Sequence, residues 1–252
     1  MYLLKSCVIA FSMYSKIPMP RVEWSEKNMK YAMCFFPAVG VVLGAIEIIV
    51  GGFLLKMGAS PLLFGAVMTL LPVLVTGGIH MDGFMDTMDA LNSYGTKEKK
   101  LAILKDSHSG AFAVLGLCCY FLWSTAMWGE AKAAMLPVLG GSCVLSRSLS
   151  GFSVMAFPPA RDSGLARTFQ DGASRKRAGI FLICWVLCSG AFVLLADIVL
   201  GGAVLIASIL VFLYYRRVCT VQFGGITGDL AGYFLELCEL AALSAVVIVQ
   251  KV

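Results

Sequence analysis

Seven stretches of this chain are long and apolar enough to require a lipid environment, and no other feature narrows the fold so far. They run over about 31–55, 61–77, 111–128, 133–157, 178–196, 201–215 and 231–249. A hydrocarbon core of about 30 Å takes roughly 20 helical residues, so most of these windows match one crossing each. The sixth is short and reads as a tilted or partly embedded segment, or as one fused to its neighbour. The expected fold is all-α: a polytopic membrane bundle of six to seven transmembrane helices. The first fifteen residues are too short for a span and suit an interfacial or re-entrant helix ahead of the turn Ile17-Pro18-Met19-Pro20. The apolar run around Lys5 lacks a small-residue cleavage pattern, so no removable signal peptide is expected. No repeat, low-complexity tract or linker divides the chain, which reads as one membrane domain over 1–252 with an active-site loop at about 77–110.

Composition excludes the competing classes. Hydrophobic residues make up 59% and charged residues 14%, against roughly 45–50% and about 25% in soluble domains. That argues against a water-soluble globule, a disordered chain, a collagen-like fibre and a disulfide scaffold. The net charge of +5 would suggest nucleic acid only if the basic residues formed a stripe, and here they lie in loops between apolar windows, so no nucleic acid partner is expected. The nine cysteines form no C-x-x-C pair and fall in or beside apolar stretches, which makes them small buried hydrophobes rather than metal or redox ligands.

The basic residues also orient the chain. Alternate loops carry Lys16, Arg21, Lys27 and Lys30, then Lys97, Lys99, Lys100 and Lys105, then Arg161, Arg167, Arg175, Lys176 and Arg177, then Arg216 and Arg217. The opposite side has only Lys56, Lys132 and Lys251. Because cytoplasmic loops retain Lys and Arg, the first set marks the cytoplasmic face of an inner membrane. The Lys97–Lys100 cluster is read as topology signal, not chemistry.

Most acidic residues share that basic face. After the second window comes Gly77-Gly78-Ile79-His80-Met81-Asp82-Gly83-Phe84-Met85-Asp86-Thr87-Met88-Asp89-Ala90, which contains D-x3-D-x2-D. On a helix, Asp82, Asp86 and Asp89 fall within roughly a 60° arc. Three carboxylates on one face with no base among them repel unless a cation neutralises them, and hard oxygen donors suit Mg²⁺. A solvated acidic face is the plainer alternative, but such faces usually mix signs. Lys105-Asp106-Ser107-His108-Ser109-Gly110 returns the chain to the membrane before the third window, so Asp106 is a fourth metal candidate. Lys105, Ser107 and Gly110 would contact phosphate at a helix N-terminus, where either serine would also serve as N-cap. Gly224-Gly225-Ile226-Thr227-Gly228-Asp229 offers a second phosphate cradle through Gly225, Thr227, Gly228 and Asp229, although its glycines equally suit close helix packing. Arg147, Glu236 and Glu239 lie at or near membrane depth and should face a polar cavity or one another, while Glu47 sits mid-span without an evident partner. His80 and His108, the only histidines, flank the acids; His80 is a candidate proton acceptor or a supporting group.

The run G-G-x-H-x-D-G-x-x-D-T-x-D resembles the cobalamin synthase family, the adenosylcobinamide-GDP ribazoletransferases. Further matching pieces are Ile17–Pro20, Phe36-Pro37-Ala38-Val39-Gly40, Lys105-Asp106-Ser107 with Gly110, Arg147, and Gly225–Asp229. Two departures stand out: Ala90 where the family usually has glycine, and His108 where arginine is common, which removes a permanent cation. The resemblance implies Mg²⁺-dependent attack by a hydroxyl of α-ribazole, or of its 5′-phosphate, on the cobinamide-bearing phosphorus of adenosylcobinamide-GDP, with GMP leaving. Asp82, Asp86, Asp89 and Asp106 would hold the metal, one free carboxylate or His80 would take the proton, and Lys105, Arg147 and the 227–229 turn would position phosphates or the corrinoid. A CDP-alcohol phosphotransferase would carry D-x2-D-G-x2-A-R, which is missing. A cation transporter would place its acids at the midplane rather than at one face. Membrane lipid is the implied surroundings. Homo-oligomerisation and docking of soluble pathway enzymes stay open, because positive-inside topology accounts for the same charges.

Overall fold

A computed structural model describes residues 2–162, 164–172 and 175–251. Among these residues twelve α-helices follow in order: α1 (Tyr2–Tyr14), α2 (Glu26–Met29), α3 (Phe36–Lys56), α4 (Pro61–Thr76), α5 (Ile79–Asn92), α6 (Lys97–Ile103), α7 (Ala111–Gly129), α8 (Leu136–Ala156), α9 (Leu165–Gly172), α10 (Arg175–Ala196), α11 (Ile198–Val218) and α12 (Gly228–Lys251). Among the described residues there is no strand, only an isolated bridge between Pro159 and Ile226. The all-α expectation holds.

Among the described residues five segments are long and apolar enough to cross a membrane, and α4 with α5 makes a sixth if that bent pair counts as one. The chain is therefore a multi-pass membrane protein. The exception to the seven sequence windows is α8, which spans 21 residues but carries Ser142, Ser146, Arg147, Ser148, Ser150 and Ser153, all buried. It tolerates them because α3, α10 and α12 enclose it, so protein rather than lipid solvates its surface. Glycines let the backbones meet: a Cβ on Gly44 would overlap the Gly140 carbonyl, and one on Gly201 that of Val193. The short sixth window extends to a full-length helix, since Asp197 accepts hydrogen bonds from Val199 N and Leu200 N at 2.9 Å and so starts α11 three residues earlier.

The cysteine reading holds in part. All nine are free, and Cys34, Cys143, Cys219 and Cys238 are buried, but Cys118, Cys119, Cys184 and Cys188 are exposed on the outer faces of α7 and α10. A membrane protein presents apolar side chains to lipid, so apolar surroundings in sequence do not mean burial in protein. The lysine cluster is also more than topology signal: Lys100 is buried, and its ammonium donates to Gln222 Oε1 at 2.5 Å, tying α6 to the π-helical turn Cys219–Phe223.

Candidate active site

The site begins where α4 ends. Gly77 and Gly78 have φ of 71° and 78°, left-handed values that side-chain-bearing residues rarely adopt, and the chain turns 100° there. Thr76 Oγ1 donates to the Pro72 carbonyl at 2.8 Å and accepts from Gly78 N at 3.3 Å, fastening the turn to the end of α4. The acidic run is thus a helix, not a loop: α5 lies across the end of α4, outside the crossing segments. Its buried face is Met81, Phe84, Thr87 and Ala90. On the other side Asp82 is exposed, and Asp86 and Asp89 are half-buried.

Two glycines bring α12 onto α5. A Cβ on Gly83 would stand 2.7 Å from the Asp229 carbonyl, and one on Gly232 would stand 3.0 Å from that of His80. Asp229 therefore joins the α5 carboxylates. The Asp86 carboxyl is pushed up to about 6, first by burial and then by the charges of Asp82, Asp229 and Asp89. Arg161 supplies a counter-charge that acts on Asp229. Sequence reading passed over Arg161 because it lies in a basic loop that topology alone accounts for. It is held by Leu101, whose carbonyl accepts from Nη2 at 2.5 Å.

Asp82 and Asp229 border a cavity of about 270 Å³ whose buried side is aromatic, with Tyr14, Phe36, His80 and Phe169 in its lining. The His80 ring stacks on Tyr14 with centroids 5.7 Å apart and planes 17° from parallel, and lies 5.6 Å from the Phe36 ring. Burial first, and the Arg147 charge second, push the imidazole down to about 3, so it is neutral at ordinary pH.

The other expected site residues divide. Gly228 borders the cavity with open space above its Cα, and Thr227 caps α12, accepting from Leu230 N at 3.2 Å and donating to Asp229 Oδ2 at 3.3 Å. Gly225 is structural: a Cβ there would stand 2.5 Å from Ala160 N and 2.6 Å from the Pro158 carbonyl. At the α7 terminus, Gly110 is the N-cap without a side-chain cap bond, so neither Ser107 nor Ser109 caps the helix. The Asp89 carboxylate occupies the space a Gly110 Cβ would fill. Asp106 turns instead to His108, whose Nδ1 is 2.7 Å from Oδ1, and this pairing holds the Asp106 carboxyl below its usual range. Lys105, Asp106 and Ser107 are all exposed, and Asp106 is not among the carboxylates that act on Asp86.

Arg147 does not reach the cavity. It is fully buried inside the bundle, where Nη1 donates to Glu239 Oε1 at 2.5 Å and to the Cys143 carbonyl at 3.0 Å. Ser146 Oγ also donates to Glu239, at 2.7 Å. Glu47 gains the partner its sequence context did not show, accepting from Cys143 Sγ at 3.2 Å.

Among the described residues no three His, Cys, Asp or Glu side chains are set around a common metal position. The donor chemistry nevertheless fits Mg²⁺: Asp82, Asp86 and Asp229 supply hard carboxylate oxygens, and after burial it is the charges of Asp82, Asp229 and Asp89 that favour a proton on Asp86. A divalent cation relieves the same repulsion.

The family model described as cobalamin-5-phosphate synthase matches residues 6–247. A protein of Lachnoclostridium phytofermentans named adenosylcobinamide-GDP ribazoletransferase is 43% identical over 251 residues, which is 99% of this chain and 95% of that one. Relatives of the same name from Clostridium perfringens (strain 13 / Type A) and Desulfitobacterium hafniense (strain Y51) are each 32% identical, covering 95% and 93% of this chain and 96% and 93% of their own. No solved structure matches. With a match over nearly the whole length and the acidic helix folded against Asp229, the chain belongs to the cobalamin-5-phosphate synthase family.

Proposed function

We propose that the cavity between α5 and α12 is where this chain transfers the adenosylcobinamide phosphate group from adenosylcobinamide-GDP to α-ribazole, or to its 5′-phosphate. A ribose hydroxyl oxygen bonds to the cobinamide-bearing phosphorus, the bond from that phosphorus to the bridging oxygen breaks, and GMP leaves with that oxygen. The observation that carries this reading is that Asp82 and Asp229 border one cavity and act, with Asp86, as one group of charges, in a chain of this family.

Asp82, Asp86 and Asp229, with Asp89 beside them, would hold Mg²⁺. When bound, the ion would neutralise the diphosphate and the charge that builds on the leaving oxygen. One carboxylate left free of the ion accepts the hydroxyl proton. His80, neutral and weakly basic in its buried position, is a poorer acceptor. Arg161 is placed to draw a phosphate oxygen toward Asp229. The basic loops support an orientation in which this face meets the cytoplasm from an inner membrane.

The test is GMP release by detergent-purified protein given adenosylcobinamide-GDP, with and without α-ribazole, in Mg²⁺ or in EDTA. Release that needs both nucleoside and metal is expected; none from folded protein with competent substrates overturns the reading. In the same assay Gly110→Ala should lower kcat by between about 10- and 100-fold, because the new methyl displaces the Asp89 carboxylate while the backbone stays in place. Unchanged kcat would remove Asp89 from the working set.

A further inference from the structure

The cavity has a buried part that the carboxylates do not use. Tyr14, Phe36, His80, Val154 and Phe169 lie along it, and its lining is apolar apart from a few groups. Most of those are already engaged: Ser150 Oγ donates to the Ala231 carbonyl at 3.2 Å, and the Tyr14 hydroxyl donates to Met33 Sδ at 3.5 Å. The exception is His80. It is 5% exposed, and its Nε2 is buried without a hydrogen-bond partner among the described residues. A buried polar atom left unpaired costs about 1–3 kcal/mol, so it marks a place where something else completes the bond.

We propose that this part of the cavity is the subsite for the base of the accepting nucleoside, with His80 donating from Nε2–H to the base's one free ring nitrogen. This deepens the transferase reading and rests on it. α-Ribazole carries a flat, dimethylated benzimidazole, an apolar bicycle whose only exposed hydrogen-bonding atom is that nitrogen. The subsite offers the matching set: aromatic and branched apolar walls with a single free polar atom. Guanine fits poorly, since its edge carries several donors and acceptors and only one free atom waits for them. A corrin ring is far too large for about 270 Å³. Because the same cavity is bordered by Asp82 and Asp229, a base seated against His80 delivers its ribose hydroxyls toward the carboxylates, which is the orientation the transfer needs.

The experiment measures KM for each substrate separately, by GMP release from the full-length purified protein. Val154→Phe narrows the subsite and should raise KM for α-ribazole by about tenfold or more, with KM for adenosylcobinamide-GDP within about twofold. Val154→Ala guards against a folding defect: it widens the subsite and should lower KM for the riboside of a bulkier tricyclic base. His80→Leu should raise KM for α-ribazole by about tenfold, yet leave KM for the dimethylindole riboside, which lacks the accepting nitrogen, nearly unchanged. A rise in KM for adenosylcobinamide-GDP instead would hand the cavity to the guanosine or corrinoid side and overturn the proposal. So would equal His80 effects on both ribosides, or no KM change in any variant. Absence of GMP release by the wild-type protein is a different failure: it removes the transferase reading itself, and the base subsite with it, before any KM is measured.

Discussion

Asp82→Asn should remove metal-dependent GMP release, lowering kcat on the order of 10²–10³-fold, while the protein still reaches the membrane and elutes from a sizing column as the wild type does. The substitution keeps side-chain shape and takes away one negative charge. A metal ion contributes several kcal/mol of charge stabilisation at a transferring phosphoryl group, and each 1.36 kcal/mol is tenfold in rate. Asp82 is exposed and its charge acts on Asp86, so its loss weakens cation binding without opening the core. Folding should be spared for that reason: the packing of α5 rests on Met81, Phe84, Thr87 and Ala90 on the opposite face. Asp229→Asn should match it, because α12 brings that carboxylate to the same place. If Asp229→Asn kept wild-type kcat, the α5 carboxylates would be acting without α12. Full activity in Asp82→Asn would sink the carboxylate site altogether.

Much of this arrangement was readable in the sequence, and the missing parts share a cause. Among the described residues, five of the apolar windows became helices long and apolar enough to cross a bilayer, the second became α4, and D-x3-D-x2-D fell on one helix face, because all follow from short-range periodicity. The exception among the spans is α8, whose serines and Arg147 are tolerated only because three other helices surround it. Asp229 was legible as part of a phosphate cradle, but not as a neighbour of Asp82; that pairing depends on Gly83 and Gly232, whose role appears only when α5 and α12 cross. Arg161 and Tyr14 gave no local signal, since an arginine in a basic loop and an aromatic in an apolar run are what any membrane protein contains, and Phe36 stood in a matching stretch that carried no role. Asp106 shows the opposite error. Its place beside Lys105 and a helix start suggested convergence with α5, and instead His108 holds it in solvent.

The same dependence on long-range pairing makes Glu239→Leu the most damaging core substitution. Arg147 is fully buried on α8, and its ion pair with Glu239 of α12 joins two crossing helices where neither water nor lipid headgroups can replace the partner. Removing one member of such a pair leaves an uncompensated buried charge, a cost of about 3–5 kcal/mol. Glu47 softens this, since its carboxylate also acts on Arg147, but it is already engaged by the Cys143 thiol. Glu239→Leu should therefore lower the thermal midpoint of the detergent-solubilised protein by several degrees and reduce the yield of monodisperse material. Arg147→Met alone should do similar harm, because Glu239 then keeps only the Ser146 hydroxyl. The double variant Arg147→Met/Glu239→Leu is the decisive arm. With both charges gone neither partner leaves the other buried and unpaired, and Met and Leu fill nearly the same volume, so the double should be more stable than either single. If the two losses simply add, the pair contributes little as a pair, and α8 is held to α12 by packing alone.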